Sequence, residues 1–343
     1  MVKAIIKEVI LRKHEIEEPI QTIYFGGGTP SLLSENQINY IFDELNQNFD
    51  LSQVKEVTLE ANPDDLNSSK LKALGNSPIN RLSIGVQSFF DEDLRLMNRA
   101  HQAKEAEICI KNAQDFGFDN ITIDLIYGSN TTTNEMWQMN LEKAIDLKIP
   151  HISSYALTVE PKTKLDADIE NGRVKPLNEQ HQETQFEMLQ TYLASKNFIH
   201  YEISNFALDG FFAVHNSNYW KSKKYFGFGP SAHSFDGFIR KWNVSNNSLY
   251  LKNIANNILP NEIEVLSEKD RYNEMIMIGL RTSWGLDIDD LMSEFSNDIV
   301  DEFSIELESL MQENLIIKED NRILIPANKK FYSDGIASRL FYV

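Results

Sequence analysis

Cysteine is nearly absent from this chain, since Cys109 is the one thiol among 343 residues. A single thiol excludes an internal disulfide and cannot by itself hold an iron–sulfur cluster, which takes several thiolates. Cys109 stands in an Ala-Glu-Ile-Cys-Ile-Lys segment with helical spacing, and we predict that it is a small core residue.

Positive charge is also scarce, with 33 Lys and Arg against 51 Asp and Glu and a net charge of −18. This excess repels phosphate groups, so we expect no nucleic-acid partner. No apolar run approaches the roughly 18 residues that a membrane span needs, and the first eight residues lack the apolar core of a signal peptide. We therefore expect a cytoplasmic protein that is not an integral membrane protein.

What the chain does contain is a regular alternation from residue 20 to residue 159. Short β-branched or aromatic runs alternate there with amphipathic stretches such as 35–49 and 103–116. This alternation predicts an α/β fold with parallel strands and crossover helices. The predicted strands are Thr22–Phe25, Glu56–Glu60, Arg81–Val86, Asn120–Ile126 and His151–Val159.

Polar residues and glycines stand where these predicted strands end. In parallel sheets and barrels, ligands bind at the carboxyl ends of the strands. A glycine turn beside carboxylates and amides suits a ligand with a zwitterionic amino-acid part and a hydroxylated ribose. The alternatives are an ordinary strand-to-helix turn for the glycines and a helix cap or a loop charge for Glu60. The strand-end residues are Gly26, Gly27, Gly28, Thr29, Glu60, Asn62, Gln87, Asp124, Ser153, Ser154 and Tyr155.

Nine ordered motifs carry a family resemblance over almost the whole chain. The five segments at 24–31, 59–63, 81–89, 98–101 and 123–128 resemble the radical S-adenosylmethionine proteins related to oxygen-independent coproporphyrinogen III oxidase. The segments at 151–161, 201–207, 215–220 and 227–234 resemble the haem-chaperone branch of this family, the HemW proteins.

The resemblance implies an S-adenosylmethionine site formed by matching positions of this chain. For Arg99 the sequence alone favours a surface ion pair with Asp93 or Glu92. For Asp124, an acid between apolar neighbours, we expect pairing or hydrogen bonding if it is buried. The implied residues are Gly27, Gly28, Thr29, Glu60, Gln87, Arg99, Asp124, Ala156 and His233.

The family's cluster motif is missing from this sequence. Its members carry Cys-x-x-x-Cys-x-x-Cys after the first barrel strand and bind a [4Fe-4S] cluster there, whereas no cysteine precedes Cys109. We therefore expect an incomplete parallel (β/α)6-type barrel that lacks its first strand, cannot bind the cluster and makes no 5′-deoxyadenosyl radical. The strand ending at Phe25 would then have a free edge and lower the solubility.

A second site is implied by the His-Asn-Ser-Asn-Tyr-Trp segment at 215–220. An imidazole is a standard axial ligand for haem iron, and the two aromatic rings offer flat faces to a porphyrin. The resemblance implies haem binding here. The alternative is a turn that docks onto a hydrophobic core. The implied haem residues are His215, Asn216, Tyr219 and Trp220.

The remaining sequence predicts two further segments after a barrel at 1–160. Residues 161–255 form an α+β extension with the haem motif, and residues 256–343 form a winged-helix-like domain. In that domain helices at 269–281, 288–295 and 299–313 precede a hairpin and a last helix. Residues 262–343 hold eighteen acidic against eight basic residues, which argues against DNA and favours packing or partner docking.

Two functional classes follow from the resemblance. The first is a haem chaperone that passes haem to a respiratory membrane enzyme, with S-adenosylmethionine and the cluster as structural or regulatory cofactors. The second is oxygen-independent coproporphyrinogen III oxidase. A third reading is a non-functional fragment. The sequence leaves open whether the chain forms a homodimer.

Overall fold

The computed structural model describes all residues from Met1 to Val343. Its strands, β1 to β13 in chain order, are Thr22–Phe25, Glu56–Ala61, Arg81–Gln87, Ile121–Tyr127, His151–Ala156, Ile199–Glu202, Asn205–Ala207, His233–Phe235, Ile239–Asn243, Asn261–Val265, Leu286–Asp287, Ile317–Glu319 and Arg322–Leu324. Its helices, α1 to α14, are Val2–Arg12, Glu35–Asn48, Ser68–Gly75, Asp91–Leu96, Ala103–Asp115, Asn134–Asp146, Lys164–Glu170, Glu179–Ser195, Val214–Trp220, Asn247–Ala255, Glu268–Leu280, Ile288–Glu294, Asn297–Gln312 and Ser333–Arg339.

The chain divides into two compact units that are each discontinuous in sequence. One, which we call the sheet unit, comprises residues 22–35 and 56–213; the other, the helical unit, comprises residues 1–21, 36–55 and 214–343. The predicted segment boundaries near residues 160 and 255 stay a prediction. None of the helices combines the length and the apolar character needed to cross a bilayer.

The sheet unit contains a seven-stranded, half-barrel sheet in the order β1-β2-β3-β4-β5-β7-β6. Strands β1 to β5 run parallel, and β7 pairs antiparallel with both β5 and β6. The five parallel strands confirm the predicted α/β fold. Strand β5 ends at Ala156, three residues before the predicted end. Strand β1 lies at the edge of this sheet, and the lower solubility expected from that edge stays a prediction.

The two faces of this sheet differ because side chains alternate along each strand. In register, Ala61, Ile84, Ile123 and Ile152 form one row, and all four are buried. One residue before each lies a polar row of Glu60, Ser83, Thr122 and His151 on the opposite face. One side is therefore apolar, and the polar side carries the predicted ligand residues Glu60 and Asp124.

The helical unit has a buried ion pair between Glu8 and Arg12 of α1, with a nitrogen–oxygen distance of 2.9 Å. Both side chains are at most 2% exposed. Glu8 also accepts hydrogen bonds from Asn243 of β9 at 2.7 Å and from Tyr250 of α10 at 2.5 Å. Arg12 donates to the Gly227 carbonyl at 2.9 Å. This fully bonded network ties α1 to segments more than 200 residues away.

The C-terminal part of the helical unit contains the predicted three helices, α11 to α13, then the β12–β13 hairpin and the last helix, α14. Its hydrophobic core includes Tyr272 and Ile276 of α11, Phe303 and Leu310 of α13, and Ile323 of β13. The hydroxyl of Tyr272 donates to the Leu340 carbonyl at 2.8 Å, which closes the end of α14 onto α11.

Candidate functional site

The glycine segment after β1 leaves its main chain open. Gly27 and Gly28 have φ angles of 70° and 85°, which favour glycine, and a methyl group added at either would meet no atom within 4 Å. At Gly26, by contrast, an added Cβ would come within 2.5 Å of the Tyr24 ring. Gly26 is therefore favoured by packing, whereas Gly27 and Gly28 leave their backbone exposed.

Glu60 of β2 holds this glycine turn in place by accepting two hydrogen bonds. Its Oε1 accepts a hydrogen bond from the Tyr24 hydroxyl at 2.7 Å, and its Oε2 accepts one from the Gly27 amide at 3.2 Å. Burial and the Glu60 carboxylate raise the pKa of Tyr24, so its hydroxyl remains a donor. The carboxylate thus positions the glycine backbone, and the alternative role as a helix cap is not what the structure shows.

Arg99 reaches the carboxyl ends of the parallel strands, which we call the rim of the sheet unit. It does not form the surface ion pair that the sequence alone favours. Its Nη2 donates to Asn62 Oδ1 at 2.7 Å and to the Gly85 carbonyl at 3.3 Å. Asp93, the expected partner, is fully buried and accepts hydrogen bonds from the Ser88 hydroxyl at 2.7 Å and the Thr131 hydroxyl at 2.6 Å. The ion-pair expectation for Arg99 is therefore wrong, because Asp93 is already committed to hydroxyl donors.

Asp124 of β4 is half-buried on the polar face of the sheet. Burial and then the Glu60 charge raise its pKa from an ordinary 3.8 to about 7, with Arg99 acting in the opposite direction. The expected pairing is thus limited to a charge interaction with Arg99. A carboxyl group titrating near neutrality can accept hydrogen bonds from ligand hydroxyls or attract a ligand amine.

Gln87 ends β3 in the left-handed region, with a φ of 62° next to a register shift between β3 and β4. Its Oε1 is buried and has no hydrogen-bond partner in the protein. The side chain lies over Gly85, where an added Cβ would be 3.3 Å from Gln87 Nε2 and 3.2 Å from Arg99 Nη2. A buried amide oxygen without a donor indicates a place for a ligand group that donates hydrogen bonds.

The other predicted residues are dispersed. Thr29 precedes a short 3₁₀ helix, Pro30–Leu32, and its carbonyl accepts a hydrogen bond from the Leu32 amide at 3.1 Å. Ala156 ends β5 opposite Tyr127. His233 belongs to the helical unit, where it is exposed on β8 with its ring stacked on Trp242 at 6.2 Å.

The second predicted site is helix α9. Nε2 of His215 and the hydroxyl of Tyr219 are 2.9 Å apart, and the two rings meet edge-on with centroids separated by 5.1 Å. Trp220 lies beneath the Arg281 guanidinium, which is 5.2 Å from the ring centroid, and its buried Nε1 has no partner. Asn216 is half-buried one turn before Trp220. The structure therefore places the four predicted residues on one seven-residue helix rather than in a turn.

Sequence reasoning missed Tyr24 and gave no ligand role to Asn62, although both bond to predicted residues. The alternation in β1 already places Tyr24 on the same face as Thr22, so the polar-face pattern could have found it. Two helices and one strand, α3, β3 and α4, separate Asn62 from Arg99 in the sequence. No local pattern signals their hydrogen bond.

The thiolate set of an iron–sulfur cluster is not matched by this chain's residues. Cys109 lies in α5, is 3% exposed, and has its pKa raised by burial to about 12. A cluster needs several accessible thiolates. Cys109 is therefore the core residue that the sequence predicts, and the donor set of this chain does not fit a cluster.

Comparison with known proteins gives a consistent set of relatives. Residues 2–144 match the Radical SAM superfamily, and residues 266–328 match the HemN C-terminal domain. "Heme chaperone HemW" of Lactococcus lactis is 34% identical over 322 residues, covering 94% of this chain and 84% of the relative. The Bacillus subtilis protein of the same name is 31% identical over 319 residues, covering 92% and 84%.

A solved structure resembles the fold along the whole chain. The Escherichia coli enzyme described as "Coproporphyrinogen III oxidase (HemN)" and as a radical SAM enzyme superimposes with a TM-score of 0.82. The match covers 98% of this chain and 82% of the enzyme, at 21% identity. At that identity the similarity establishes the fold alone.

Proposed function

The chain belongs to the HemW family, and from this premise we propose that it is a haem chaperone: it binds haem at helix α9 and passes it to a respiratory membrane enzyme. The observation that carries the proposal is the His215–Tyr219 pair, which offers both an imidazole and a phenol to iron within one helical turn. Trp220, next to it in sequence, adds a flat apolar surface.

We further propose that the rim of the sheet unit binds S-adenosylmethionine. When bound, this ligand would bring a positively charged sulfonium centre, a nucleoside and an amino-acid tail to the site. Gly27 and Gly28 leave room for a polar group against the main chain, and Glu60 holds the Gly27 amide in place. The unpartnered Gln87 oxygen and the Asp124 carboxyl accept hydrogen bonds from ligand amine or hydroxyl groups.

The oxidase activity is not favoured by any residue of this chain. The fold similarity to the oxidase does not transfer its reaction, and Cys109 does not provide a cluster site. A bound sulfonium nucleoside would then serve structure or regulation, which fits a delivery protein.

The experiment is a titration of the purified full chain with ferric haemin, followed by the Soret band. We expect saturation at one haem per chain, and loss of that band in the double variant His215→Ala/Tyr219→Phe. The matched control is His14→Ala, which removes an exposed histidine outside α9. Haem uptake that is equal in all three proteins would reject α9 as the site.

Delivery is tested separately. Haem-loaded chain is mixed with membrane vesicles from haem-starved cells, and the haem in the pelleted membranes is compared with that delivered from haem–albumin. A parallel assay measures protoporphyrinogen formation from coproporphyrinogen III. Faster transfer than from albumin without porphyrinogen turnover supports the chaperone, whereas turnover would support the oxidase.

A further inference from the structure

The His215–Tyr219 pair restricts which of its two atoms can meet a haem iron. The residues are one helical turn apart, and the pair is joined by the 2.9 Å contact between His215 Nε2 and the Tyr219 hydroxyl. The rings are nearly perpendicular, at 89°, so the hydroxyl lies at the edge of the imidazole where Nε2 projects. The phenol oxygen therefore occupies the position from which a metal would bind Nε2.

An iron bound to His215 Nε2 would need that same position. A metal–imidazole bond is about 2 Å long, so the iron would lie between Nε2 and an oxygen that is now 2.9 Å away. Such ligation requires Tyr219 to leave its rotamer. The Tyr219 ring is held in place by an edge-on contact with Tyr225, with centroids 4.7 Å apart and an angle of 82°.

Tyr219 is the better exposed member of the pair. Its side chain is 39% exposed, whereas His215 is half-buried behind it. A ligand that approaches α9 therefore meets more of Tyr219 than of His215. Tyrosine is an established ligand of haem iron in proteins, and its anionic oxygen suits the ferric state.

We propose, resting on the haem-binding function proposed above, that Tyr219 supplies the iron ligand and that His215 is a positioning residue behind it. In the tautomer of His215 that carries its proton on Nδ1, the phenol O–H bond would break on binding, its proton would pass to Nε2, and an oxygen–iron bond would form as the haemin releases its axial anion. No electron is transferred. The hydrogen bond persists with its direction fixed, because Nε2–H now donates to the coordinated oxygen.

The test adds ferric haemin to the full chain and records affinity and resonance Raman spectra for wild type, Tyr219→Phe, His215→Gln and the control Tyr225→Phe. We expect iron-phenolate modes in wild type that shift when the protein contains ring-deuterated tyrosine. These modes disappear in Tyr219→Phe. They persist in His215→Gln, whose affinity falls by about 10- to 100-fold because an outer-shell partner is lost. Tyr225→Phe, which keeps its ring, retains the modes.

Each other outcome has a distinct meaning. Haem uptake by wild type without phenolate modes overturns this inference and leaves the chaperone proposal intact. The same holds if Tyr219→Phe keeps the wild-type spectrum while His215→Gln loses it. No haem uptake by wild type rejects the proposed function and this inference with it. The isotope shift is measured in wild type, so a variant that fails to fold does not remove the test.

Discussion

The Asp124 carboxyl makes the stability of the sheet unit depend on pH in an unusual direction. Its pKa is about 7 in the folded chain against 3.8 for an ordinary aspartate. Between these values the unfolded chain has released this proton and the folded chain still holds it. The contribution of Asp124 to the free energy of unfolding therefore falls as the pH rises from about 4 to 7, and it levels off above the folded pKa.

The difference of about 3 pKa units corresponds to about 4 kcal/mol as an upper bound. Because Asp124 is half-buried rather than fully buried, solvent screening lowers this figure, and we expect about 2 to 4 kcal/mol. The substitution Asp124→Asn removes the titrating group and keeps the shape. At pH 8 the variant should be more stable than wild type by that amount, and at pH 4 the two should be nearly equal.

Urea unfolding at four pH values between 4 and 8 measures this difference, with hydrogen exchange of the β4 amides as a local readout. Other carboxylates are common to both proteins and cancel in the comparison. The control is Asp209→Asn, an exposed aspartate in the same unit, for which the difference from wild type should not change with pH. A difference between Asp124→Asn and wild type that stays constant over these pH values would refute the reasoning.

Two further predictions concern buried groups outside this rim. Arg12→Met leaves the Glu8 carboxylate buried without its cation and should destabilise the helical unit by about 3 to 5 kcal/mol in urea unfolding. Arg339→Met, which breaks partly exposed pairs with Glu306 and Glu313, should cost at most about 1 kcal/mol, and equal losses would contradict the argument. The Cys109 thiol, buried and with its pKa raised to about 12, should react with iodoacetamide far more slowly in native than in urea-unfolded protein. Equal rates would mean that Cys109 is not in the core.

The parallel strands were predictable because each is a short β-branched run followed by glycine or polar residues. Strands β1 to β4 begin and end within one residue of their predicted limits. Strand β5 stops earlier, at Ala156, although the residues up to Val159 keep a strand-like composition. The reason is that its parallel neighbour β4 ends at Tyr127, which pairs with Ala156, while β7 reaches only His151 to Ser153.

The partners within the rim were less accessible to sequence reasoning. The sequence alone favours an ion pair of Arg99 with Asp93 or Glu92, because closeness along the chain is the only separation that a sequence provides. The structure assigns Asp93 to Ser88 and Thr131 and turns Arg99 to Asn62. These contacts depend on where separate strands end in space, which local patterns do not encode.

The discontinuous make-up of the helical unit has a consequence for synthesis on the ribosome. Glu8 acquires its Tyr250 partner only after 242 further residues have been added, which takes roughly 12 to 50 s at ordinary translation rates. During that interval α1 remains an amphipathic segment without its later partners. Residues 56–213 emerge as one uninterrupted stretch and can fold first. Slow elongation should therefore expose the early helix to chaperones, and its burial should be among the last steps of maturation.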